Sequence, residues 1–311
     1  MLHELPRIVC IVGPTASGKT ALGVRLAKKF HGEIINADAR QIYKYFDIGT
    51  GKPAGKLGVA YGHRTFLVQG VPHYLMDFLD PRDSFTVVEW RERAVRAIKG
   101  ILERGHLPIV VGGTGLYMSA LVENFSFPAV APNAVMRKAF ELKPLAELAA
   151  LLLRIDPSAA HTIDLKNPRR VIRALEVVTF TGRPFNAQIH SGERQFNAFQ
   201  IGIHWTREEL NRRIDAEINQ MLQRGWLEEI CGALKKGILE SAQSMTSIGY
   251  RELLRHIRRE VSLDAAIVTT KHAVHRYAKR QQTWFKRDKR IRWAKNELEA
   301  VKLVQQWLAH V

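Results

Sequence analysis

The stretch Gly13–Thr20, with the sequence GPTASGKT, restricts the fold more than any other part of the chain. It fits the pattern G-x-x-x-x-G-K-[ST] of a P-loop, a phosphate-binding turn between a strand and a helix. The apolar run Ile8–Val12 before it predicts a buried parallel strand, and Ala21–Phe30 after it predicts a helix. This order of elements predicts an α/β fold with a P-loop NTPase-like parallel sheet flanked by helices.

The residue types of this stretch suit a phosphate group. Gly13 and Gly18 let the backbone turn tightly and direct its N–H groups inward, and the helix N-terminus adds positive potential. Lys19 supplies a point charge, and the Thr20 hydroxyl can hold Mg²⁺. A structural glycine-rich turn is the alternative. We predict that phosphate binds with Mg²⁺ as cofactor at Gly13, Pro14, Thr15, Ala16, Ser17, Gly18, Lys19 and Thr20.

The chain is strongly basic, with a formal charge of +17 over 311 residues. Such a protein is expected to meet a polyanion, and net charge alone leaves nucleic acid and an anionic membrane surface both open. No apolar run is long enough to cross a bilayer, and the N-terminus lacks a signal-peptide pattern. Cys10 and Cys231 form no disulfide or zinc pattern, which suits a reducing compartment. We therefore expect a cytoplasmic protein.

Two further predicted strands end in sequence that suits a ligand site. Glu33–Asp38 places Asp38 at a carboxyl end, where a parallel sheet would turn it toward the P-loop; an N-cap or turn role is equally open. Leu107–Val111 runs into Gly112–Tyr117 (GGTGLY) and not into the acidic residue with which P-loop ATPases and GTPases hold Mg²⁺. These glycines indicate close approach to a ligand, with Thr114 offering a hydroxyl, or else a structural turn.

Several local signals predict where other elements begin and end. The range 47–62 is rich in glycine and predicts a loop. Ser84 is the expected N-cap of a helix that runs to about Arg104. Thr206 and Glu209 predict a capping box. The last residues, 296–310, predict a helix that closes the core.

Prolines at 128, 132 and 144 mark a change of composition, and the range 122–197 predicts a helical insertion. The flanking ranges 1–121 and 198–311 would form the P-loop core. Asn167 and Pro168 predict the start of a helix inside the insertion. On that helix Arg169, Arg170 and Arg173 lie on neighbouring faces, which suits an anion-binding surface or, alternatively, a solvated face.

Residues 271–293 alternate basic and aromatic side chains, with Asp288 as the only acid. This pattern suits a nucleic acid with splayed bases. A membrane-surface helix would show a continuous apolar face, which this segment lacks.

Seven segments in this order resemble the tRNA dimethylallyltransferases, which prenylate the adenosine next to the anticodon. They are GPTASGKT, NADARQIYKYFDIGTGKP, VPHYLMDFLDPRDSF, IVVGGTGLY, NPRRVIRALEV, SIGYRE and RYAKRQQTWFKRD. The P-loop is shared with kinases, but the whole set spans nearly the entire chain and is specific. The chain departs from the family pattern at Ala39, where serine is usual, and at Arg169, where glutamine is usual.

The resemblance implies a reaction and a set of residues. A dimethylallyl group would pass from dimethylallyl diphosphate to N6 of adenosine 37 in tRNAs that read codons beginning with U. The P-loop would hold the diphosphate rather than a nucleoside triphosphate, with Lys19 assisting and Arg137 reaching toward it. Asp38 would accept or orient the N6 proton beside Thr114. Contacts with the anticodon stem-loop are implied for Asp38, Ala39, Arg40, Gln41, Thr114, Arg137, Arg169, Arg170, Val171, Ile172, Arg173, Arg276 and Arg280.

The sequence is therefore compatible with three functions. The first is tRNA prenyl transfer by a monomer that does not bind membranes. The second is a P-loop small-molecule or nucleoside kinase whose basic charge is incidental. The third is a non-catalytic, nucleotide-gated RNA-binding protein.

Overall fold

The computed structural model describes residues 4–128 and 130–309. The chain divides into two compact units, one formed by residues 1–122 with 195–311 and the other by residues 123–194. Among the described residues, the strands are β1 (Arg7–Val12), β2 (Gly32–Asn36), β3 (Lys56–Ala60), β4 (His63–Val68), β5 (Val71–Tyr74), β6 (Leu107–Gly112), β7 (Phe125–Ser126), β8 (His190–Ser191), β9 (Asn197–Ile203) and β10 (Arg292–Ala294).

The strands of the first unit form one eight-stranded sheet in the order β10-β9-β1-β6-β2-β5-β4-β3. The neighbours from β10 to β5 pair in parallel, and β4 pairs antiparallel with both β3 and β5. The predicted α/β fold with a parallel sheet is thus confirmed. Since β1, β6 and β2 are neighbours, their carboxyl ends meet at one edge, where ligands bind in such sheets.

The helices are α1 (Lys19–Lys29), α2 (Val87–Glu103), α3 (Gly115–Val122), α4 (Ala134–Glu141), α5 (Leu145–Ile155), α6 (Ala159–Thr162), α7 (Pro168–Thr181), α8 (Arg207–Gln223), α9 (Trp226–Lys235), α10 (Tyr250–Ile257), α11 (Leu263–Lys286) and α12 (Glu297–Ala309). The predicted closing helix is α12, and residue 310 of its predicted range lies outside the described residues. None of the helices in the described ranges is long and apolar enough to span a membrane.

The central strands β1, β2 and β6 are buried on both faces of the sheet, which explains their continuous apolar sequences. Along β1, Ile8, Cys10 and Val12 pack with α2, α3 and the helices α8 to α11. Val9 and Ile11 point to the other face and pack with α1 and α12. Each fully buried aliphatic side chain contributes about 1.5–3 kcal/mol, so the two-sided core holds the strand ends in place. Burial also raises the pKa of Cys10 to about 12, consistent with a small apolar core residue.

Two local predictions are corrected by the structure. The range 47–62 is not all loop, because β3 occupies 56–60 and pairs with β4. Its signal was weak because β3 is a largely exposed edge strand that lacks a buried face. The N-cap of α2 is Thr86, not Ser84, because only Thr86 forms a reciprocal box with Glu89.

The other predicted helix starts are confirmed. Thr206 and Glu209 form the capping box of α8. Asn167 accepts a hydrogen bond from the N–H of Arg170 at the start of α7, with Pro168 in the first turn.

The second unit has its own small core. Buried side chains of α5, α6 and α7 pack together in it, among them Leu148, Leu152, Val171 and Leu175. The strands β7 and β8 pair antiparallel within this unit.

Gly112, the last residue of β6, is required by a close backbone approach. A Cβ at this position would overlap the carbonyl of Ala37, just beyond β2. The N–H of Ala37 donates to the carbonyl of Val111 at 2.7 Å, which extends the pairing of β2 with β6. The first glycine of GGTGLY therefore draws the segment that carries Asp38 against the neighbouring strand.

We predict that Gly112→Ala destabilises the protein by about 1–3 kcal/mol, the usual cost of forcing extra volume into packed structure. Gly232→Ala in α9 is the matched control, since a Cβ there meets nothing within 4 Å. It should leave stability unchanged or raise it by up to about 1 kcal/mol, because alanine favours helix. Denaturant unfolding of both variants checks this, and equal stabilities would contradict the close approach.

Candidate active site

The P-loop has the backbone that its sequence predicts. Gly18 has φ 85° and stands directly before α1, and Ala16 also adopts a positive φ of 59°. The first N–H groups of a helix have no partner within it and can bind an anion. Lys19 donates from Nζ to the carbonyl of Pro14 at 2.8 Å. Its burial lowers its pKa, against the opposing effect of the carboxylates of Asp38 and Glu217.

Two neighbouring cavities meet at this edge of the sheet. The first, of about 550 Å³, is lined by the P-loop from Thr15 to Thr20 and by charged side chains. The second, of about 270 Å³, is lined by apolar side chains such as Ile214, Ile218 and Trp226 together with polar ones such as Thr114 and Gln281. Both include Thr15, Asp38, Thr50 and Glu217 in their linings. A ligand with an anionic head and an apolar tail could therefore occupy both.

Asp38 stands where the two cavities join, and its segment is held by a network of hydrogen bonds. Its carboxylate accepts from the N–H of Arg40 at 2.8 Å, so the turn role considered from sequence is also real. Its own N–H donates to Asn36 Oδ1 at 3.1 Å. The Thr114 hydroxyl accepts from the N–H of Ala39 at 3.0 Å, and the Thr114 N–H donates to the carbonyl of Ala37 at 3.2 Å. Asp38 and Thr114 are thus brought together, as predicted.

The other residues of the predicted 38–41 contact region support neighbouring loops. The side chain of Gln41 donates to the carbonyls of Thr50 and Gly51 at 3.2 and 3.0 Å. Arg40 donates to the carbonyl of Gln243. Their role toward RNA stays a prediction.

Gln281 of α11 joins the P-loop to the glycine-rich turn after β6, and the sequence analysis missed it. Its side-chain oxygen accepts from the N–H of Thr15 at 3.0 Å, and its amide donates to the carbonyl of Gly113 at 2.9 Å. The side chain is buried and lines the second cavity. Nothing in a basic helical segment marks one glutamine for this role, because its partners are far away in the chain.

Arg213 of α8 is a second residue that sequence reasoning missed. It lines the first cavity and donates from Nε to the carbonyl of Ala16 at 2.7 Å. Its guanidinium lies 4.4 Å from the ring centroid of Trp205, whose Nε1 donates to the carbonyl of Ser17 at 3.0 Å. The capping box of Thr206 and Glu209 marks the helix α8 in the sequence. It does not show that this helix lies beside the P-loop.

Lys52 is a buried cation that fixes the segment between β2 and β3. Its Nζ donates to the carbonyl of Tyr43 at 2.8 Å and pairs with Asp77 at 2.6 Å and with Asp47. These bonds satisfy the charge of a side chain that would otherwise be costly to bury. The loop that they hold carries Thr50, which lines both cavities.

In the second unit, Arg137 is engaged with a buried carboxylate. Arg137 donates from Nε and Nη2 to the two oxygens of Glu176 at 2.8 Å, and Arg173 also pairs with Glu176 at 3.1 Å. Burial would raise the pKa of Glu176, but the hydrogen bonds from Arg137, from the Asn133 N–H and from Arg173 lower it overall. The predicted reach of Arg137 toward a diphosphate stays a prediction.

The predicted RNA-binding range of α7 includes exposed and buried side chains. Arg169 and Arg170 are exposed, whereas Val171 and Ile172 lie in the core of the second unit. These two side chains belong to the apolar stripe that α7 packs into that core with Leu175 and Val178. Contact of this range with RNA stays a prediction.

On α11, Arg276 and Arg280 are exposed, and their predicted contact with tRNA stays a prediction. Arg280 lies 5.7 Å from the ring centroid of Tyr277, and Tyr277 lines the second cavity. Burial raises the pKa of Tyr277 to about 12, so its hydroxyl stays protonated at neutral pH.

The first cavity fits a magnesium ion that is shared with a bound phosphate group. Thr20, Asp38 and Glu217 all line it and supply the oxygen ligands that Mg²⁺ prefers. Within the described residues, no group of three or more His, Cys, Asp and Glu side chains could hold a metal by itself. Mg²⁺ usually keeps several waters and relies on substrate phosphates, so a full protein cage is not needed.

Comparison with known proteins decides the family. The sequence profile described as "IPP transferase" matches residues 41–288, and one described as "Isopentenyl transferase" matches residues 6–73. The chain belongs to the IPP transferase family. A tRNA dimethylallyltransferase of Pelotomaculum thermopropionicum is 40% identical over 296 residues, which cover 93% of this chain and 91% of the relative. One of Carboxydothermus hydrogenoformans is 38% identical over 305 residues, or 96% of this chain and 94% of the relative.

Solved structures of this family share the fold. The tRNA isopentenylpyrophosphate transferase of Bacillus halodurans superimposes with a TM-score of 0.69 at 36% identity, covering 97% of this chain and 95% of that one. A eukaryotic dimethylallyltransferase, solved while acting on tRNA, gives a TM-score of 0.72 at 28% identity over 90% of this chain and 70% of that one. The predicted resemblance to this family is confirmed.

We predict that Gln281→Glu weakens binding of inorganic diphosphate about tenfold, since a hydrogen bond to a charged or buried partner contributes about 1.4 kcal/mol. The carboxylate cannot donate to the Gly113 carbonyl, and its charge lies beside the P-loop. Gln305→Glu on α12 is the control, because Gln305 accepts from Lys29 and keeps that role as a glutamate. Calorimetric titration checks both, and equal affinities would show that Gln281 does not shape the P-loop.

Proposed function

We propose that this IPP transferase transfers a dimethylallyl group from dimethylallyl diphosphate to N6 of adenosine 37 in tRNAs that read codons beginning with U. The product is N6-isopentenyladenosine. The relatives compared above carry tRNA dimethylallyltransferase in their names, which supports the substrate pair. The position and the codon class rest on the sequence resemblance. A monomer in the cytoplasm that does not bind membranes completes the proposal.

One observation carries it: Asp38 lines both cavities at their junction. The first cavity contains the phosphate-binding loop, and the second combines apolar side chains with polar groups. A carboxylate between an allylic diphosphate and an adenine is placed to accept the proton of the attacking amine. An adenine amine is a poor nucleophile, so such a base accelerates its attack.

The bond changes then follow. The N6 nitrogen forms a bond to the allylic carbon, the carbon–oxygen bond to diphosphate breaks, and diphosphate leaves with the electron pair. The N6 proton passes to Asp38. Lys19, the N–H groups at the start of α1 and the guanidinium of Arg213 stabilise the charge that develops on the leaving group. Mg²⁺ bound at Thr20 would supply further positive charge to the diphosphate.

Binding of tRNA is supported by charge and by exposed cations. The chain has a net charge of +17, and Arg169, Arg170, Arg276 and Arg280 are exposed. The adenine has to leave its stack to reach the second cavity, which costs a few kcal/mol. Phosphate contacts made by exposed cations can offset this cost.

A direct reaction separates this function from the kinase and the RNA-binding alternatives. Purified protein is mixed with unmodified tRNA and labelled dimethylallyl diphosphate, and nucleosides of the digested tRNA are analysed by mass. We expect isopentenylated adenosine. Transfer or hydrolysis of ATP phosphate without this product would favour the kinase, and RNA binding without turnover would favour the non-catalytic protein.

We predict that Asp38→Asn lowers kcat by about 10²–10⁴, the contribution of a general base. Asparagine keeps an oxygen that can accept from the Arg40 N–H, so the turn is preserved while the proton acceptor is lost. Asp83→Asn, on the exposed turn before α2, is the control and should retain wild-type kcat. Single-turnover rates with saturating tRNA measure the effect. A near-normal rate for Asp38→Asn would remove this residue from the chemistry.

We predict that replacing Arg169 and Arg170 together by alanine weakens tRNA binding and lowers the slope of log affinity against log salt by about one to two. Both side chains are exposed, so folding is preserved. The control replaces the exposed Lys99 and Lys302, which removes the same charge elsewhere. Filter binding across a salt series measures both slopes. Identical slopes in the two double variants would mean that these arginines do not contact RNA.

A further inference from the structure

Trp226 lines the second cavity, and its indole has no part in the bond changes described above. The side chain is 1% exposed and is wedged between two glycines. A Cβ at Gly49 would overlap the indole, and so would a Cβ at Gly249. The ring of Tyr250 meets it edge-on, with 5.7 Å between ring centroids. Trp226 is thus a closely packed part of the cavity wall.

The wall is anchored from behind by Glu229. Its carboxylate accepts from three successive backbone N–H groups, those of Asp47, Ile48 and Gly49, at 2.6, 2.7 and 3.0 Å. It also accepts from the Tyr250 hydroxyl at 2.7 Å. These bonds hold Gly49 against the indole. Since packed interiors yield little to added volume, Trp226 cannot retreat to make the cavity longer.

The helix α8 shows which part of the donor faces this wall. Arg213, Glu217 and Gln220 on one side of α8 line the first cavity. Ile214, Ile218 and Met221, each one position from those residues, line the second cavity together with Trp226. A single helix therefore offers a polar face to the first cavity, where Arg213 can meet the diphosphate, and an adjoining apolar face to a hydrocarbon chain in the second.

The second cavity also has polar side chains that suit a base. Thr114, Ser247, Gln281 and Asp38 are part of its lining, and they offer hydrogen-bonding groups that a purine needs and a prenyl chain does not. The lining therefore has separate groups for the two occupants.

We propose that Trp226 sets the length of the donor chain, so that a five-carbon prenyl diphosphate fits and a ten-carbon one is rejected. This inference rests on the proposed prenyl transfer and deepens it. Replacement of the indole by a small side chain opens the end of the cavity along the direction of the chain. The bond changes are the same for the longer donor, with diphosphate leaving in each case.

The test is a competition in one tube. The full-length protein is given unmodified tRNA with equal concentrations of dimethylallyl and geranyl diphosphate, and the masses of the modified nucleosides are counted. Their ratio reports relative kcat/KM and does not depend on how much of a variant is folded. We expect the wild type to form the dimethylallyl product almost exclusively. Trp226→Ala should raise the geranyl share about tenfold or more, as one pocket-filling change does.

Two further variants keep the result decisive. Met221→Ala, on the same apolar face, should raise the geranyl share by a smaller factor and covers the case in which Trp226→Ala does not fold. Trp307→Ala on α12, where the indole stacks on Phe199 at 5.1 Å, removes a tryptophan away from both cavities and should leave the ratio unchanged.

Three outcomes would overturn the inference. The first is equal use of both donors by the wild type. The second is an unchanged product ratio in active Trp226→Ala and Met221→Ala proteins. The third is a raised KM for tRNA in Trp226→Ala at an unchanged product ratio, which would place the base against the indole. A wild type that modifies tRNA with neither donor would instead refute the proposed function.

Discussion

The site depends on the close contact between the backbone at the end of β6 and the backbone just beyond β2. Gly112 has no side chain, so the Ala37 carbonyl can lie against it. The Ala37 N–H bonds to the Val111 carbonyl, and Thr114 then holds Ala37 and Ala39 from the other side. Asp38 lies between these fixed points. Its carboxylate is therefore positioned by main-chain bonds on rigid strand ends, which is how precise catalytic geometry is usually maintained.

The rest of the site is assembled around that contact by helices from the far end of the chain. Gln281 on α11 ties the P-loop to Gly113, and Arg213 on α8 reaches the P-loop carbonyl of Ala16. These bonds join segments separated by 168 or more residues. A phosphate-binding loop is common to many enzymes, whereas the helices that surround it determine what the rest of the ligand is. Here they supply an apolar cavity beside the anion site, which suits an allylic diphosphate.

Some charged side chains stabilise the fold, and others are available to bind ligands. Lys52 and Glu176 are buried and fully engaged with partners of opposite charge, so they fix local structure. Lys19 is different, because its Nζ binds a carbonyl while burial lowers its pKa. An incoming diphosphate would supply the counter-charge. The same reasoning separates Arg173, which pairs with Glu176, from the exposed Arg169 and Arg170 on the same helix.

The sequence by itself determined the P-loop, the parallel sheet, the carboxylate after β2 and the family, because each depends on residues that are close together in the chain. It also predicted the caps of α7 and α8, which are local hydrogen bonds. It failed at β3, whose exposed edge carries little apolar signal. Only the tertiary structure decided the roles of Gln281, Arg213 and Trp226. Their partners are contributed by distant segments, and no local pattern encodes a contact that exists only after the chain has folded.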